Sequence, residues 1–223
     1  SYNFRTTGCN QNCFVIESVI DEAANKAEID PVDYRLMLIK NNQRHHSLLK
    51  SIANDSNWDK KIESGFGRGV AINEFMVKNT SKGRDNFGEA TSIVAMIAEI
   101  KISKKGRLVI NKIDCKIDCG ICINPNQVIS QAEGGIMMGI SMLLNEEITF
   151  ENGMVVQSNY DDYKIAKMKN TPEMNISIVK SSLPPAGIAE AVVAPVMPAI
   201  TNAIFAATGK RIRKLPIGKQ KLV

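Results

Sequence analysis

The spacing of apolar positions changes character about a third of the way along the chain. Over residues 12–27, Phe14, Val15, Val19, Ala23 and Ala27 recur at helical spacing with Glu17, Asp21 and Glu22 on other faces, which predicts a first helix. Asp30-Pro31 opens a second, with Asp30 as N-cap and Pro31 in the first turn, running through Tyr34, Leu36, Met37 and Ile39 to about residue 40. A third helix is expected over residues 46–53, and the polar, glycine-bearing stretch 58–69 reads as a connector. The period then shortens to that of strands. Residues 69–77, 92–102 and 107–117 are strand candidates, the last two flanking Lys104-Lys105-Gly106 as a hairpin, while residues 79–89 read as a loop. Asn124-Pro125 starts a helix that runs to about Leu144. Asn152-Gly153 suits a type I′ hairpin turn, and residues 174–179 form another strand candidate. Pro184-Pro185-Ala186-Gly187 breaks the pattern before a last helix over residues 196–208, stopped by Gly209 as C-cap. Helices first, then hairpins mixed with helices, is an α+β order: residues 1–64 mainly helical, residues 65–223 α+β.

Composition narrows the class. At 223 residues, 44% hydrophobic and 23% charged, the chain has material for a core and is neither disordered, collagenous nor coiled coil. No apolar run approaches the ~20 residues of a membrane span. The opening Ser1-Tyr2-Asn3-Phe4-Arg5 has no starting Met, basic n-region or apolar h-region, so a soluble chain, a piece of something longer, is expected. Its compartment, cytoplasm or periplasm, stays open. The net charge of +5 comes from the end of the chain. Residues 191–223 hold six bases and no acid, leaving 22 bases against 23 acids in residues 1–190. A solvated basic tail is the expectation. With only 5% aromatic residues, and none in the tail beyond Phe205, a nucleic-acid partner is disfavoured.

The five cysteines, Cys9, Cys13, Cys115, Cys119 and Cys122, are too few and too odd in number for a disulfide framework. Cys115-x3-Cys119-x2-Cys122 has spacing that zinc or an iron–sulfur cluster can use, but Cys115 also fits a strand as a small buried hydrophobe. No second Cys-x2-Cys pair exists, and His45 and His46 are distant in sequence, so no metal ligands are assigned. Gly65-Phe66-Gly67-Arg68-Gly69 precedes a strand and therefore fails as a dinucleotide fingerprint. Thr208-Gly209-Lys210-Arg211 is a helix stop, and Glu146-Glu147 a solvated turn.

Two features carry more. On the helix from Asn124, Gln131-Ala132-Glu133-Gly134-Gly135 is followed by Gly139, so Gly135 and Gly139 share a face. Each interior Gly costs about 1 kcal/mol against Ala, and the explanation is either close packing against the sheet or a cofactor lying there with Gln131 offering its amide. In the run from Leu183 to Pro195, Glu190 is the one carboxylate of an apolar stretch. It is either a poised general base or an acid at the head of a helix.

Four segments in order, Asp118-Cys119-Gly120-Ile121-Cys122-Ile123-Asn124-Pro125, Gln131-Ala132-Glu133-Gly134-Gly135-Ile136, Gln157-Ser158-Asn159-Tyr160-Asp161-Asp162-Tyr163 and Asn202-Ala203-Ile204-Phe205-Ala206-Ala207-Thr208-Gly209-Lys210-Arg211, resemble the C-terminal part of the molybdenum-binding subunit of the xanthine dehydrogenase/aldehyde oxidase family. Within it they are most similar to the large (beta) chain of isoquinoline 1-oxidoreductase-like enzymes. Phe4-Arg5-Thr6-Thr7-Gly8-Cys9-Asn10-Gln11-Asn12 and Glu17-Ser18-Val19-Ile20-Asp21-Glu22 fit the same pattern, so the resemblance spans nearly the whole chain, as the C-terminal part of a molybdopterin-binding domain.

The resemblance implies a molybdenum hydroxylase. Its cofactor is a molybdopterin, often the cytosine dinucleotide form, and a glutamate takes the proton from Mo–OH as oxygen derived from water is added to an N-heterocycle or aldehyde. Electrons leave through a separate [2Fe–2S] subunit. It implies Glu190 as the catalytic base, Arg5, Gly8, Gln131 and Gly134 as cofactor contacts, and Thr7 as a substrate-facing residue. The family's glycine-rich cofactor loops fall upstream of Arg5, which makes the upstream half of the subunit, or a companion chain, a partner. Where the family has Gly-x-Gly-Glu-Pro or similar, Glu190 here stands between Ala189 and Ala191. A non-catalytic interaction module that keeps the fold is the alternative reading.

Overall fold

In the computed structural model, which describes residues 4–77, 90–218 and 220–223, one strand is apolar on both faces and has a core on each. This is β2 (Ala90–Ile102), paired antiparallel with β1 (Phe66–Val77) on one side and β3 (Leu108–Asp118) on the other. Ile93, Ala95 and Ile97 point to one face, where α2 (Pro31–Leu38) and α3 (Gln43–Asp55) bring Val32, Leu48, Leu49 and Ile52. Val94, Met96, Ala98 and Ile100 point to the other, against Ile136 and Ile140 of α4 (Pro125–Leu144) and Ile200 and Ile204 of α5 (Val196–Thr208). Burial of each such side chain contributes about 1.5–3 kcal/mol, so β2 is the spine of both cores. The fold is α+β, as expected.

α1 (Cys9–Lys26) starts ahead of the expected residue 12, because Gly8 turns the chain at φ 74 and Thr6 C=O accepts the N–H of Cys9 at 2.9 Å. α3 also starts early, capped by Asn42 Oδ1 on His45 N–H. Asp30 caps α2 as predicted, accepting from Val32 and Asp33, and Gly209 at φ 72 ends α5. The small hairpin of β4 (Phe150–Glu151) and β5 (Met154–Val155) turns on Asn152 and Gly153, both at positive φ as a type I′ turn requires. The expected loop at residues 79–89 lies outside the described residues.

Two expectations are corrected, on the connector and on the tail, and the structure adds the pairing of the last strand. The connector assigned to residues 58–69 ends early, since β1 begins at Phe66. Its glycines are strand residues on which α5 rests: a Cβ at Gly67 would lie 2.1 Å from Ala203 O, and one at Gly69 2.2 Å from Ala203 N. The last strand, β6 (Glu173–Ile178), runs parallel to β3, with α4 in the crossover, giving the order β1-β2-β3-β6. The basic tail is not a solvated end. Ile217 and Gly218 N–H bond to Leu143 and Leu144 C=O at 2.7 and 3.1 Å, and Ile212, Ile217 and Leu222 are buried. Among the described residues no helix is long and apolar enough to cross a membrane.

Candidate functional site

The segment leading into α5 crosses one end of the sheet and is fastened to three strands. Ile121 N–H bonds Leu183 C=O and Ala186 N–H bonds Cys119 C=O, each at 2.9 Å, just past the end of β3. Ser92 Oγ of β2 donates to Gly187 C=O at 2.9 Å, and Asn73 Nδ2 of β1 donates to Ala191 C=O at 3.2 Å. Gly120 allows this approach: its φ is 69, and a Cβ there would sit 2.1 Å from Pro184 O. From Ala191 onward the chain is buried, so Glu190 stands half-buried at the boundary, opening the turn that Val193 N–H closes on its carbonyl at 3.2 Å.

Residues 5–8 come to the same place from the opposite end of the chain. Thr6 is buried at 1% exposure and adopts φ 66, a conformation rare for a β-branched residue, which turns its N–H onto Glu190 Oε1 at 3.2 Å. Among the described residues no other group hydrogen-bonds that carboxylate. Arg5 Nε donates to Ala189 C=O at 2.5 Å, and Arg5 Nη2 reaches Gln131 Oε1 of α4 at 3.4 Å. Burial lowers the Arg5 pKa from its ordinary value, and the charge of Glu190 works against that. Arg5, Gln131 and Glu190 are thus one cluster built from three distant segments.

The remaining predicted residues are spread around it. Gly134 is exposed on α4, one turn from Gln131, with nothing within 4 Å of where a Cβ would stand. Gly8 is likewise open and exposed. Thr7 is exposed, its hydroxyl donating to Phe4 C=O at 3.0 Å. The face of Gly135 and Gly139, in contrast, is filled: Cβ atoms there would meet Val192 Cγ2 at 2.5 Å and Val196 Cβ at 2.6 Å. Those two glycines seat α4 on the approach to α5, the packing alternative, though against a turn and not the sheet. Sequence reasoning missed Thr6, because its part is played by a backbone N–H that leaves no side-chain signature.

A cavity of about 470 Å³ adjoins the cluster, lined by Gln131, Ala189, the start of α4 at Asn124 and Gln127, and Cys119 and Cys122. No carboxylate lines it. The amides of Asn124, Gln127 and Gln131 stand at one side of a lining that is otherwise mostly apolar, with Ile121, Ile123, Val128, Pro185 and Ile188. A slightly larger cavity, about 530 Å³, lies between Phe4, Phe14, Met142 and Tyr163 and contains none of Arg5, Gln131 and Glu190. Cys115 is buried in β3, where burial and Asp114 push its thiol up to about 12. Among the described residues no three His, Cys, Asp or Glu side chains converge as metal ligands.

Residues 14–172 match the molybdopterin cofactor-binding domain family. The chain belongs to that family. It is 29% identical to the beta chain of the isoquinoline 1-oxidoreductase of Brevundimonas diminuta, over 96% of its own length and 26% of the relative's. It is 30% identical to a nicotinate dehydrogenase subunit of Pseudomonas putida, over 95% of the chain and 18% of that relative. It therefore spans about a quarter or less of the length of these relatives. The aldehyde oxidoreductase of Desulfovibrio gigas shares the fold at a TM-score of 0.71 and 14% identity, covering 99% of this chain and 41% of that one.

Proposed function

We propose that this chain is the portion of a molybdenum hydroxylase large subunit that supplies its general base, Glu190, and part of the cofactor's seat, at Gln131, Arg5, Gly8 and Gly134. The observation that carries the reading is the convergence of Arg5, Gln131 and Glu190, with Thr6 N–H holding one carboxylate oxygen at 3.2 Å. Molybdopterin in its cytosine dinucleotide form, held at Gln131, Arg5, Gly8 and Gly134, would supply the two-electron acceptor for the reaction.

The chain's residues do the rest. Thr6 N–H fixes Glu190 Oε1, which leaves Oε2 to take the proton of the water-derived hydroxyl that adds to substrate. Arg5, bonded to Ala189 C=O, pins the residue before the base and keeps positive charge beside it, so the carboxylate is oriented. Gln131 and the open glycines Gly8 and Gly134 offer an amide and unobstructed backbone to the cofactor's edge. Thr7 faces the substrate, an electron-poor N-heterocycle or aldehyde. Electrons pass to a [2Fe–2S] subunit, and the upstream half of the large subunit, or a companion chain, closes the pocket.

The test is Glu190→Gln in the complete enzyme. A glutamine keeps the acceptor for Thr6 N–H but cannot hold the proton. Turnover should fall about 10²–10⁴-fold at unchanged molybdenum content. Retained turnover would overturn the assignment.

A further inference from the structure

Cys119 and Cys122 share the cavity beside the site, yet the chemistry proposed there uses neither. They bound the loop Cys119-Gly120-Ile121-Cys122, which joins the end of β3 to the Asn124 cap of α4. The loop is not free to wander. Gly120 reverses it at φ 69, and its backbone is bonded to Leu183 and Ala186 at 2.9 Å on either side. The turn brings both side chains to the lining of the same cavity, three residues apart in the chain; burial, with Cys122 beside it, pushes the Cys119 thiol up to about 11. Cys119 is buried, Cys122 is half-buried, and both are free thiols.

The other neighbouring pair is built differently. Cys9 and Cys13 lie one turn apart on α1. Side chains so spaced on a helix have Cβ atoms about 5–6 Å apart, beyond the roughly 3.5–4.5 Å that a disulfide spans. Cys115 points into the core from β3.

We propose that Cys119 and Cys122 form a reversible dithiol–disulfide pair, oxidised by hydrogen peroxide and restored by a low-molecular-weight thiol. The more accessible Cys122 sulfur attacks one peroxide oxygen; the O–O bond breaks, the sulfur becomes a sulfenic acid, and the other oxygen leaves as water with the thiol proton. Cys119 sulfur then displaces the sulfenic hydroxyl, which departs as a second water with the Cys119 proton as the S–S bond forms. Two electrons have moved from sulfur to peroxide, and two thiols plus one hydrogen peroxide have become one disulfide plus two waters. Two molecules of a small thiol reverse it, leaving as their own disulfide. The bond would tie the head of α4, and so Gln131, to the end of β3 beside the segment that carries Glu190. This inference does not depend on the cofactor reading, since it concerns the thiols alone.

The experiment uses the full chain, purified with whatever accompanies it, reduced and then exposed to hydrogen peroxide before denaturation and alkylation. The peptide holding Cys119 and Cys122 should become lighter by two hydrogen atoms and refuse the alkylating agent, and glutathione should reverse both changes. Cys9, Cys13 and Cys115 should remain alkylatable. In Cys119→Ser, Cys122 should stop at the sulfenic acid and be trapped by dimedone; in Cys122→Ser, no disulfide should form at Cys119. Free thiols at both positions after peroxide, or irreversible oxidation of Cys122 in the unaltered chain without a disulfide, would overturn the proposal.

Discussion

Two charged clusters flank α1, and they are built to opposite ends. Around the helix's middle, Arg35 from α2 is 1% exposed, bonded through Nε to Glu17 Oε2 at 2.8 Å and through Nη2 to Glu17 C=O at 3.0 Å. Asp21 joins Arg211 at 2.7 Å, Arg211 bonds Asn202 and lies over the Phe205 ring, and Asn202 reaches Val70 C=O at 3.2 Å. Ahead of the helix, Arg5, Thr6, Gln131 and Glu190 also join segments from both ends of the chain, but the carboxylate there is half-buried with one bond and the amide is exposed. The first cluster is buried and locks α1, α2, β1 and the region after α5 together, with Arg211 Nε and Nη2 left without partners among the described residues. In the second, Gln131 lines the neighbouring cavity and one carboxylate oxygen of Glu190 has no hydrogen-bond partner among the described residues. What separates the two clusters is exposure: Arg35, Glu17 and Asp21 are buried, whereas Glu190 is half-buried and Gln131 exposed.

The largest effect that would sharpen this contrast is expected at Arg35. Arg35→Met strands Glu17 in a buried site, where burial already pushes its pKa up more than Arg35 pulls it down, and should cost about 3–5 kcal/mol in urea denaturation. Glu190→Gln should change the same measurement by less than about 1 kcal/mol, as a half-exposed position allows. Equal losses at the two sites would erase the distinction.

Glycines give the next test. Gly69→Ala forces a methyl into the backbone of α5 and should cost about 1–3 kcal/mol or more. Gly134→Ala meets nothing and should stabilise α4 by up to about 1 kcal/mol, while lowering molybdenum retention if the cofactor passes over it. Gln131→Ala should leave stability unchanged and lower molybdenum retention; full retention would reduce Gln131 to a partner of Arg5.

The smallest effect is a pH dependence at the end of β3. Burial works to raise the Asp118 carboxyl, but the hydrogen bond from Arg44 at 2.6 Å, the Gly120 N–H and the Arg44 charge together hold it below its ordinary value. Its contribution is therefore full above the unfolded pKa of about 3.9 and is lost as pH falls through the lower folded value. The stability gap between the native chain and Asp118→Asn should be present at neutral pH and close in acid. A gap that persists there would assign the bond to geometry alone.

Much of this was legible in the residues. Periodicity found every α-helix and both hairpins, because amphipathic helices and Asn-Gly turns announce themselves locally. It misplaced the start of β1, where Gly67 and Gly69 look like loop residues until α5 is seen resting on them. It also missed the parallel pairing of β6 and the docking of the tail, which depend on contacts far apart in sequence. In the site, Glu190 stood out as a lone carboxylate in an apolar run, and Gln131 through the glycines beside it. Nothing marked Thr6, since a β-branched residue at φ 66 runs against its own propensity and acts through its backbone. Arg35 gave no signal either: a buried arginine reads as a surface residue until its carboxylates are placed.

The central claim is that this chain helps seat a molybdopterin beside Glu190. Elemental mass spectrometry on the chain purified from its own cells, with whatever accompanies it, tests that most directly. Near-stoichiometric molybdenum, with a longer polypeptide or companion chain present, is the predicted result. Folded chain of 223 residues, free of molybdenum, would contradict it and make Glu190 no more than an acid at the head of α5.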